Sequence, residues 1–139
     1  MDLFSSMRVS ASGLDAQTKR MNTISSNVAN AETVGYHRKD PLVAAETDRE
    51  NFGEILDNQM DEAIQGVRVQ DIVEDHRPQR MVYNPGHPQA NADGYVEMPN
   101  VNPVEEMANM ISAQRSYEAD VTAMNSAKQM AQKALEIGR

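Results

Sequence analysis

The side chains best suited to catalysis or metal binding are three histidines, His37, His76 and His87, and a few adjacent carboxylates. No two of the histidines have the spacing of a zinc motif. The acidic pairs 61–62 and 74–75 lack the apolar or glycine-rich neighbours that would separate their pKa values for acid–base work. Because there is also no nucleophile elbow and no phosphate-binding glycine loop, we expect no enzyme, no metal and no cofactor.

One loop resembles half of a calcium site. Residues 89–94 read Gln-Ala-Asn-Ala-Asp-Gly, similar to the first part of an EF-hand loop. The first ligand position is Gln89, however, and the twelfth, where the loop needs a bidentate glutamate, is Asn100. We interpret this segment as a polar turn.

The charge distribution separates the two ends of the chain from its middle. The 139 residues carry a net charge of −8 and contain no cysteine, no tryptophan and ten methionines. Residues 34–100 hold thirteen acidic and six basic side chains, whereas 1–33 and 101–139 are close to neutral. An acidic protein is a poor partner for nucleic acid. The neutral ends can be buried against other subunits at little electrostatic cost, while the acidic middle favours solvent.

The sequence offers neither a membrane span nor a cleaved export signal. No apolar run approaches the roughly 20 residues that cross a bilayer. The start, Met-Asp-Leu-Phe-Ser-Ser, lacks a basic segment, an apolar segment and a cleavage site. We expect no membrane insertion, and either a cytoplasmic protein or one that leaves the cytoplasm without signal cleavage.

Apolar residues recur at heptad-like intervals at both ends, which predicts a helix over 3–31 and another from Pro103 to Ile137 with Asn102 as N-cap. Each seam is narrow, as suits a partner helix. The first helix is rich in serine, threonine and asparagine, so we expect it to be largely disordered in the monomer and to form when a partner covers the seam. We take the assembly seam as Met7, Leu14, Met21, Ile24, Val28, Met107, Tyr117, Val121, Met124 and Leu135.

The middle of the chain has the alternation and turn residues of a small β-rich unit. Strands are predicted at 66–73 with a bulge, at 80–83 and at 95–98 after the turn Asp93-Gly94, and a short packed segment is expected at Phe52, Ile55, Leu56 and Met60. The predicted fold is therefore α+β. Helical segments 1–33 and 101–139 pair in a coiled-coil-like layer, and the β-rich domain 34–100 is inserted between them.

Several motifs, in order along nearly the whole chain, resemble those of the bacterial flagellar basal-body rod protein family, and most closely the subunits of the proximal rod. They are Ser-Ser-Asn-Val-Ala-Asn-Ala-Glu-Thr-Val-Gly-Tyr at 25–36, Val-Tyr-Asn-Pro-Gly-His-Pro at 82–88, Asp-Gly-Tyr-Val at 93–96, and the runs at 99–107 and 110–119. The first gives a signature junction at Asn27, Ala29, Asn30, Thr33, Gly35 and Tyr36.

The resemblance implies a structural subunit of the proximal rod, the drive shaft of the flagellum. Such proteins are exported unfolded by the flagellar type III apparatus without signal cleavage. They assemble with themselves and with other rod subunits into a helical tube in the periplasm. Their terminal helices form a coiled-coil inner layer that transmits torque for motility.

Two alternatives from other classes remain at this point. One is a cytoplasmic two-helix adaptor or chaperone-like protein-binding module, which a stably helical monomer would favour. The other is an enzyme with its site in the β-rich insert, which a bound metal or a defined acidic pocket would support.

Overall fold

The computed structural model describes residues 3–45 and 66–137 of the chain. It contains helix α1 (Leu3–Ala29), strands β1 (Lys39–Ala45), β2 (Val67–Glu74), β3 (Arg80–Tyr83) and β4 (Tyr95–Met98), and helix α2 (Pro103–Ile137). The α+β prediction, with two long terminal helices around a small strand region, is confirmed. The segment expected to pack around Phe52, Ile55, Leu56 and Met60 lies outside the described residues.

Helix α1 ends at Ala29, two residues earlier than predicted. The chain then makes successive turns, in which Thr33 N donates to Asn30 O at 3.0 Å and Tyr36 N donates to Thr33 O at 3.1 Å. Gly35, the third residue of the second turn, has a φ of 79°. That left-handed conformation is easy for glycine and strained for most other residues, and it confirms the prediction of a positive-φ turn at Gly35.

Strands β1 and β2 form an antiparallel ribbon with the predicted bulge. Leu42 pairs with Asp71 but the next residue, Val43, pairs with Val69, which leaves Gln70 as the extra residue of β2. Strand β1 was not among the predicted strands, and it contains Pro41, which is unfavourable in the middle of a sheet. A ribbon of two strands tolerates it, since each strand has one edge without a ladder.

Strands β3 and β4, both predicted, pair in an antiparallel hairpin in which Tyr83 lies opposite Tyr95. The two rings meet edge to face, with their centroids 5.3 Å apart. Gly94, at the predicted turn, has a φ of 82°, and a Cβ there would lie 2.9 Å from Tyr83 Cε2. The turn therefore requires glycine for conformation and for space.

The terminal helices pack against each other in antiparallel orientation. Near one end of the pair, Asn27 on α1 contacts Glu106 on α2. Farther along, a Cβ built at Gly13 would come within 2.9 Å of Asp120 Oδ2. Asn27 and Gly13 are 14 residues apart, as are Glu106 and Asp120, so the two helices keep one register over this length.

The buried side chains are small or polar rather than large and apolar. In the described part of the chain they are Ala16, Ile24, Val96, Pro99, Val101, Ala113 and Ala127, together with the polar residues Thr23, Asn27 and Glu106. Small side chains allow close approach of two helix backbones but bury little apolar area. The helical pair therefore gains only modest stability from its own contact.

Candidate assembly surface and its polar junction

Asn27 lies at the centre of a polar junction where both helices meet the insert. Its side chain is 0% exposed. The amide nitrogen donates to Lys39 O at 2.8 Å and to Glu106 Oε2 at 3.1 Å. The amide oxygen accepts from the Tyr36 hydroxyl at 3.0 Å and from Lys39 N at 2.9 Å. Both donors and both acceptor positions of the amide are thus used, which is what burial of this group requires.

Glu106, in the first turn of α2, is buried together with Asn27. Its Oε1 accepts from Arg38 Nε at 2.7 Å, while Oε2 accepts from Asn27. Arg38 is itself only slightly exposed. A buried carboxylate is tolerated when a cation and further hydrogen bonds compensate its lost hydration, and both are present here.

Arg38 connects this pair to the insert. Its Nη1 contacts Asp40 Oδ2 and lies 3.6 Å from Asp75 Oδ2, and its backbone N donates to Asn100 Oδ1 at 3.0 Å. Burial works against its charge, but the hydrogen bonds to Glu106 and Asp40 outweigh it and raise the pKa of Arg38. The guanidinium therefore stays charged and holds three segments together.

Asp75 and Asn100 close the junction on its outer side. The Asn100 amide donates to Asp75 O at 3.1 Å. Hydrogen bonds from the side chain and backbone of Arg77 lower the pKa of Asp75. The segment after β2 is thereby fixed against the segment that leads into α2.

The other signature residues shape the end of α1. The Asn30 amide donates to Ser26 O at 2.8 Å, and Thr33 Oγ1 donates to Asn30 Oδ1 at 3.2 Å. The Tyr36 hydroxyl, which donates to Asn27, also lies 3.2 Å from Ser26 Oγ. Ala29 is exposed at the end of the helix. In the structure five of the six, Ala29 excepted, contribute bonds or turn geometry between helix and insert.

The predicted seam on α1 is distinct from the line that packs deepest against α2. Ile24 is buried, whereas Met7, Leu14, Met21 and Val28 are half-buried. The closest approach to α2 uses Gly13 and Asn27 instead. The apolar stripe thus retains surface that no described part of the same chain covers completely.

On α2 the predicted seam divides into two groups. Tyr117, Val121 and Met124 are half-buried, but Met107 is 56% exposed and Leu135 75% exposed. Leu135 has no α1 residue beside it because, in the common register, α1 begins at the level of residue 130 and α2 extends beyond it. Met107 lies on the side of α2 that is turned away from α1.

Sequence reasoning missed the ionic part of the junction. It predicted no buried contact for Glu106 and gave no role to Arg38 or Asn100. A pattern that could have pointed to Glu106 is its heptad spacing with Ala113 and Ala127, the other two buried residues of α2. A carboxylate on such a line of alanines must meet a buried partner.

The described residues were also compared with the requirements of a metal site and of a membrane span, and they contain two surface grooves. Within 3–45 and 66–137, no group of three potential ligands among histidine, aspartate and glutamate could hold a metal ion. Neither α1 nor α2 is long and apolar enough to cross a bilayer. An open groove of about 430 Å³ lies between α1 and the β1–β2 ribbon, and a smaller one of about 240 Å³ lies beside Gly35.

The paired helices, the inserted strands and the junction define a structural protein whose surfaces serve packing. Comparison with known proteins gives the same class. Residues 7–37 match the family model "Flagella basal body rod protein", and residues 92–137 match "Flagellar basal body rod FlgEFG protein C-terminal".

Similar proteins named "Flagellar basal-body rod protein FlgC" occur in several bacteria. The one from Bacillus subtilis is 47% identical, and both chains are covered completely. The one from Borreliella burgdorferi is 42% identical over 99% of this chain and 98% of its own, and that from Salmonella typhimurium is 39% identical over the full length of both. The chain therefore belongs to the flagellar basal-body rod protein family, and its function is that of a structural subunit of the rod.

Proposed function

We propose that this chain is a subunit of the proximal rod, assembled with copies of itself and with other rod subunits into a helical tube that transmits torque for motility. The observation that carries the proposal is the incomplete burial of the helical pair. Two long helices meet through small and polar residues and leave apolar side chains partly or largely uncovered at both helices. Subunits of an array would cover that surface.

The assembly seam is the set of residues predicted above, from Met7 to Val28 on α1 and from Met107 to Leu135 on α2. The near-neutral charge of residues 1–33 and 101–139 lowers the electrostatic cost of packing many copies side by side. A contact between two different surfaces, repeated without closure, generates an open helical array. Many such contacts in parallel would resist twisting.

Export as an unfolded chain is consistent with the weak contact between the two helices. The modest apolar burial between the helices and the poor helix propensity of α1 favour terminal helices that order largely on assembly. The subunit would leave the cytoplasm through the flagellar type III apparatus without signal cleavage and take its place in the periplasmic part of the basal body. No catalytic role is required of it.

The proposal is tested by placing a charge on the seam. Val28→Asp should abolish swimming and incorporation into isolated basal bodies, whereas the secreted or cytosolic chain stays soluble. Ala11→Asp adds the same charge to an exposed position of α1 that belongs neither to the seam nor to the groove beside the ribbon, and should leave both normal. Normal swimming of the Val28 variant would contradict the seam.

The monomer distinguishes this function from a cytoplasmic adaptor or chaperone-like module. Circular dichroism and backbone NMR of the purified chain should show undispersed signals for 1–33 and 101–139 beside a dispersed β-rich middle. If both helices are already formed and packed in the monomer, while the chain is absent from basal bodies, the adaptor replaces the rod subunit.

A further inference from the structure

The outer side of α2 carries an apolar strip formed by Val104, Met107 and Ile111. All three side chains are more than half exposed. At about 100° per residue, they lie roughly 140° around the helix axis from Glu106 and Ala113, which are buried. The strip therefore points away from α1.

The second surface of this contact is the groove between α1 and the β1–β2 ribbon. Its lining comes from one face of α1 and one face of the ribbon: Lys19, Asn22, Thr23, Ser26, Lys39, Ile72 and Glu74. Ile72 supplies an exposed apolar side chain at its wall. A volume of about 430 Å³ is sufficient for a few aliphatic side chains.

We infer that the strip of one copy docks into the groove of the next copy of this chain. Both features lie at the junction end of the helical pair. In the register set by Asn27 with Glu106, the strip at 104–111 is level with residues 22–29 of α1, beside the groove. A neighbouring copy displaced sideways, with little shift along the helix axis, brings the two together.

The charges around the two surfaces are compatible with this contact. Glu118, exposed two turns beyond Ile111 on the strip side of α2, would lie nearest Lys19 at the groove. Lys19 already contacts Asp15 at 2.8 Å. Exposed ion pairs of this kind are weak, so Lys19 can exchange one carboxylate for the other at little energetic cost.

The strip belongs to α2 and the groove to α1 and the ribbon, so the contact joins unlike surfaces and can repeat from copy to copy in an open array. Three apolar side chains cover far less than the roughly 800 Å² per partner of a stable dimer. The contact alone should be too weak to hold a pair in solution and should become effective when many neighbours act together. It shares Met107 with the seam, is otherwise additional to it, and rests on the proposed role in the rod.

Disulfide trapping in isolated basal bodies tests the contact, because the natural chain has no cysteine. The test variant carries Ile72→Cys and Ile111→Cys. Its matched control carries Val73→Cys and Ile111→Cys. Ile72 and Val73 are adjacent in β2 and similarly exposed, at 48% and 42%, but alternate side chains of a strand point to opposite faces of the ribbon.

After mild oxidation, the test variant should give covalent dimers and larger multimers on a non-reducing gel, several-fold more than the control. If both variants enter basal bodies and cross-link equally or not at all, the contact is wrong while the rod assignment stands. If the double variants do not assemble, two single variants are produced in the same cells together with the natural chain. One carries Ile111→Cys, and the other carries Ile72→Cys or, in the control, Val73→Cys. The yields of cross-linked dimer are then compared as before. Absence of the natural chain from basal bodies would instead overturn the rod assignment.

Discussion

Asn27 Nδ2 lies 3.1 Å from Glu106 Oε2, and this bond joins the last turn of α1 to the first turn of α2 between residues 79 positions apart. The same amide bonds the backbone of Lys39 as donor and as acceptor. One side chain therefore fixes both helix ends and the start of the insert. A carboxylate of the same shape has no donor for two of these partners.

Asn27→Asp should consequently break the junction although it changes no volume. The new oxygen would face Glu106 Oε2 and Lys39 O, both acceptors, and would bury a second negative charge. We expect a loss of about 3 kcal/mol from the folded junction. Swimming on soft agar and incorporation into basal bodies should both fall sharply, whereas Asn125→Asp, the same change at an exposed site of α2, serves as the control. Equal swimming of the two variants would contradict the role of the amide.

The sequence predicted the local features of the junction but not its long-range hydrogen bonds. The motif around Asn27 identified the family and predicted the turn at Gly35, because local patterns such as turns, caps and alternating strands depend on neighbouring residues. Val104 N donates to Asn102 Oδ1 at 3.1 Å, so the predicted N-cap is confirmed. The bond from Asn27 to Glu106 could not be predicted, since it depends on how two distant helices align.

The packing of the two helices could not be predicted from the sequence for the same reason. Apolar periodicity selected Met7, Leu14, Met21 and Val28, yet the chain buries Ala16 and Thr23 more deeply. Hydrophobicity indicates which side chains avoid water, but it does not tell whether the covering surface belongs to the same chain or to another. In a subunit of an array, neighbouring copies cover some of the apolar side chains that the chain itself leaves uncovered.

The variants Glu106→Gln and Glu105→Gln remove the same charge from adjacent positions at the start of α2. Comparing them tests whether the buried contact of Glu106 matters for the junction. Glu106 is buried against Arg38, and Glu105 beside it is exposed. Glutamine at 106 can still accept from Arg38 Nε but leaves the partly buried guanidinium without its most deeply buried counter-charge, which we expect to cost about 2 kcal/mol because Asp40 remains in place. Because the terminal helices are expected to order on assembly, swimming and incorporation into basal bodies are the measurements. Both should fall for Glu106→Gln and change little for Glu105→Gln, and equal swimming of the two variants would mean that the pair contributes nothing.

Two glycines with positive φ should respond differently to substitution. A Cβ at Gly35 meets nothing within 4 Å, so Gly35→Ala suffers conformational strain alone, about 1 kcal/mol, and Gly35→Asn should recover part of it. A Cβ at Gly94 would also crowd Tyr83 and Pro85. Gly94→Ala should therefore lower the urea midpoint more, and Gly94→Asn should not restore it. Recovery by asparagine at both sites would contradict the steric part of the argument.

Acid should remove the contribution of the contact between Asp75 and Arg77. Hydrogen bonds from Arg77 lower the pKa of Asp75 in the folded chain. Stability from a lowered carboxyl pKa is present above the unfolded value of about 3.9 and is lost as the pH falls through the folded value. Urea midpoints of the natural chain and Arg77→Gln should differ at pH 6 and converge below pH 4.

Arg68→Gln, which removes a charge from an exposed position of β2, is the control for that comparison. It alters the net charge equally but leaves Asp75 with both of its bonds to Arg77. Its difference from the natural chain should not vanish in acid in the same way. If all three chains respond to pH in parallel, the lowered pKa of Asp75 has no effect on stability.

A charge on the α2 seam should separate assembly from folding. Val121 is half-buried in the middle of α2, far from the junction, whereas Ala123 two residues later is exposed. Val121→Asp should abolish swimming and incorporation into basal bodies because a carboxylate cannot be buried between helices without a partner. The β1–β2 ribbon extends along α1 as far as Ser12, whose Oγ accepts from Val67 N at 3.1 Å, whereas the β3–β4 hairpin is joined to the junction end of the helical pair. The NMR spectrum of β3 and β4 should therefore be unchanged, and the chain should stay soluble. Ala123→Asp, with the same charge on an exposed side, should swim normally; if Val121→Asp also swims, residue 121 does not belong to the surface through which the subunits assemble.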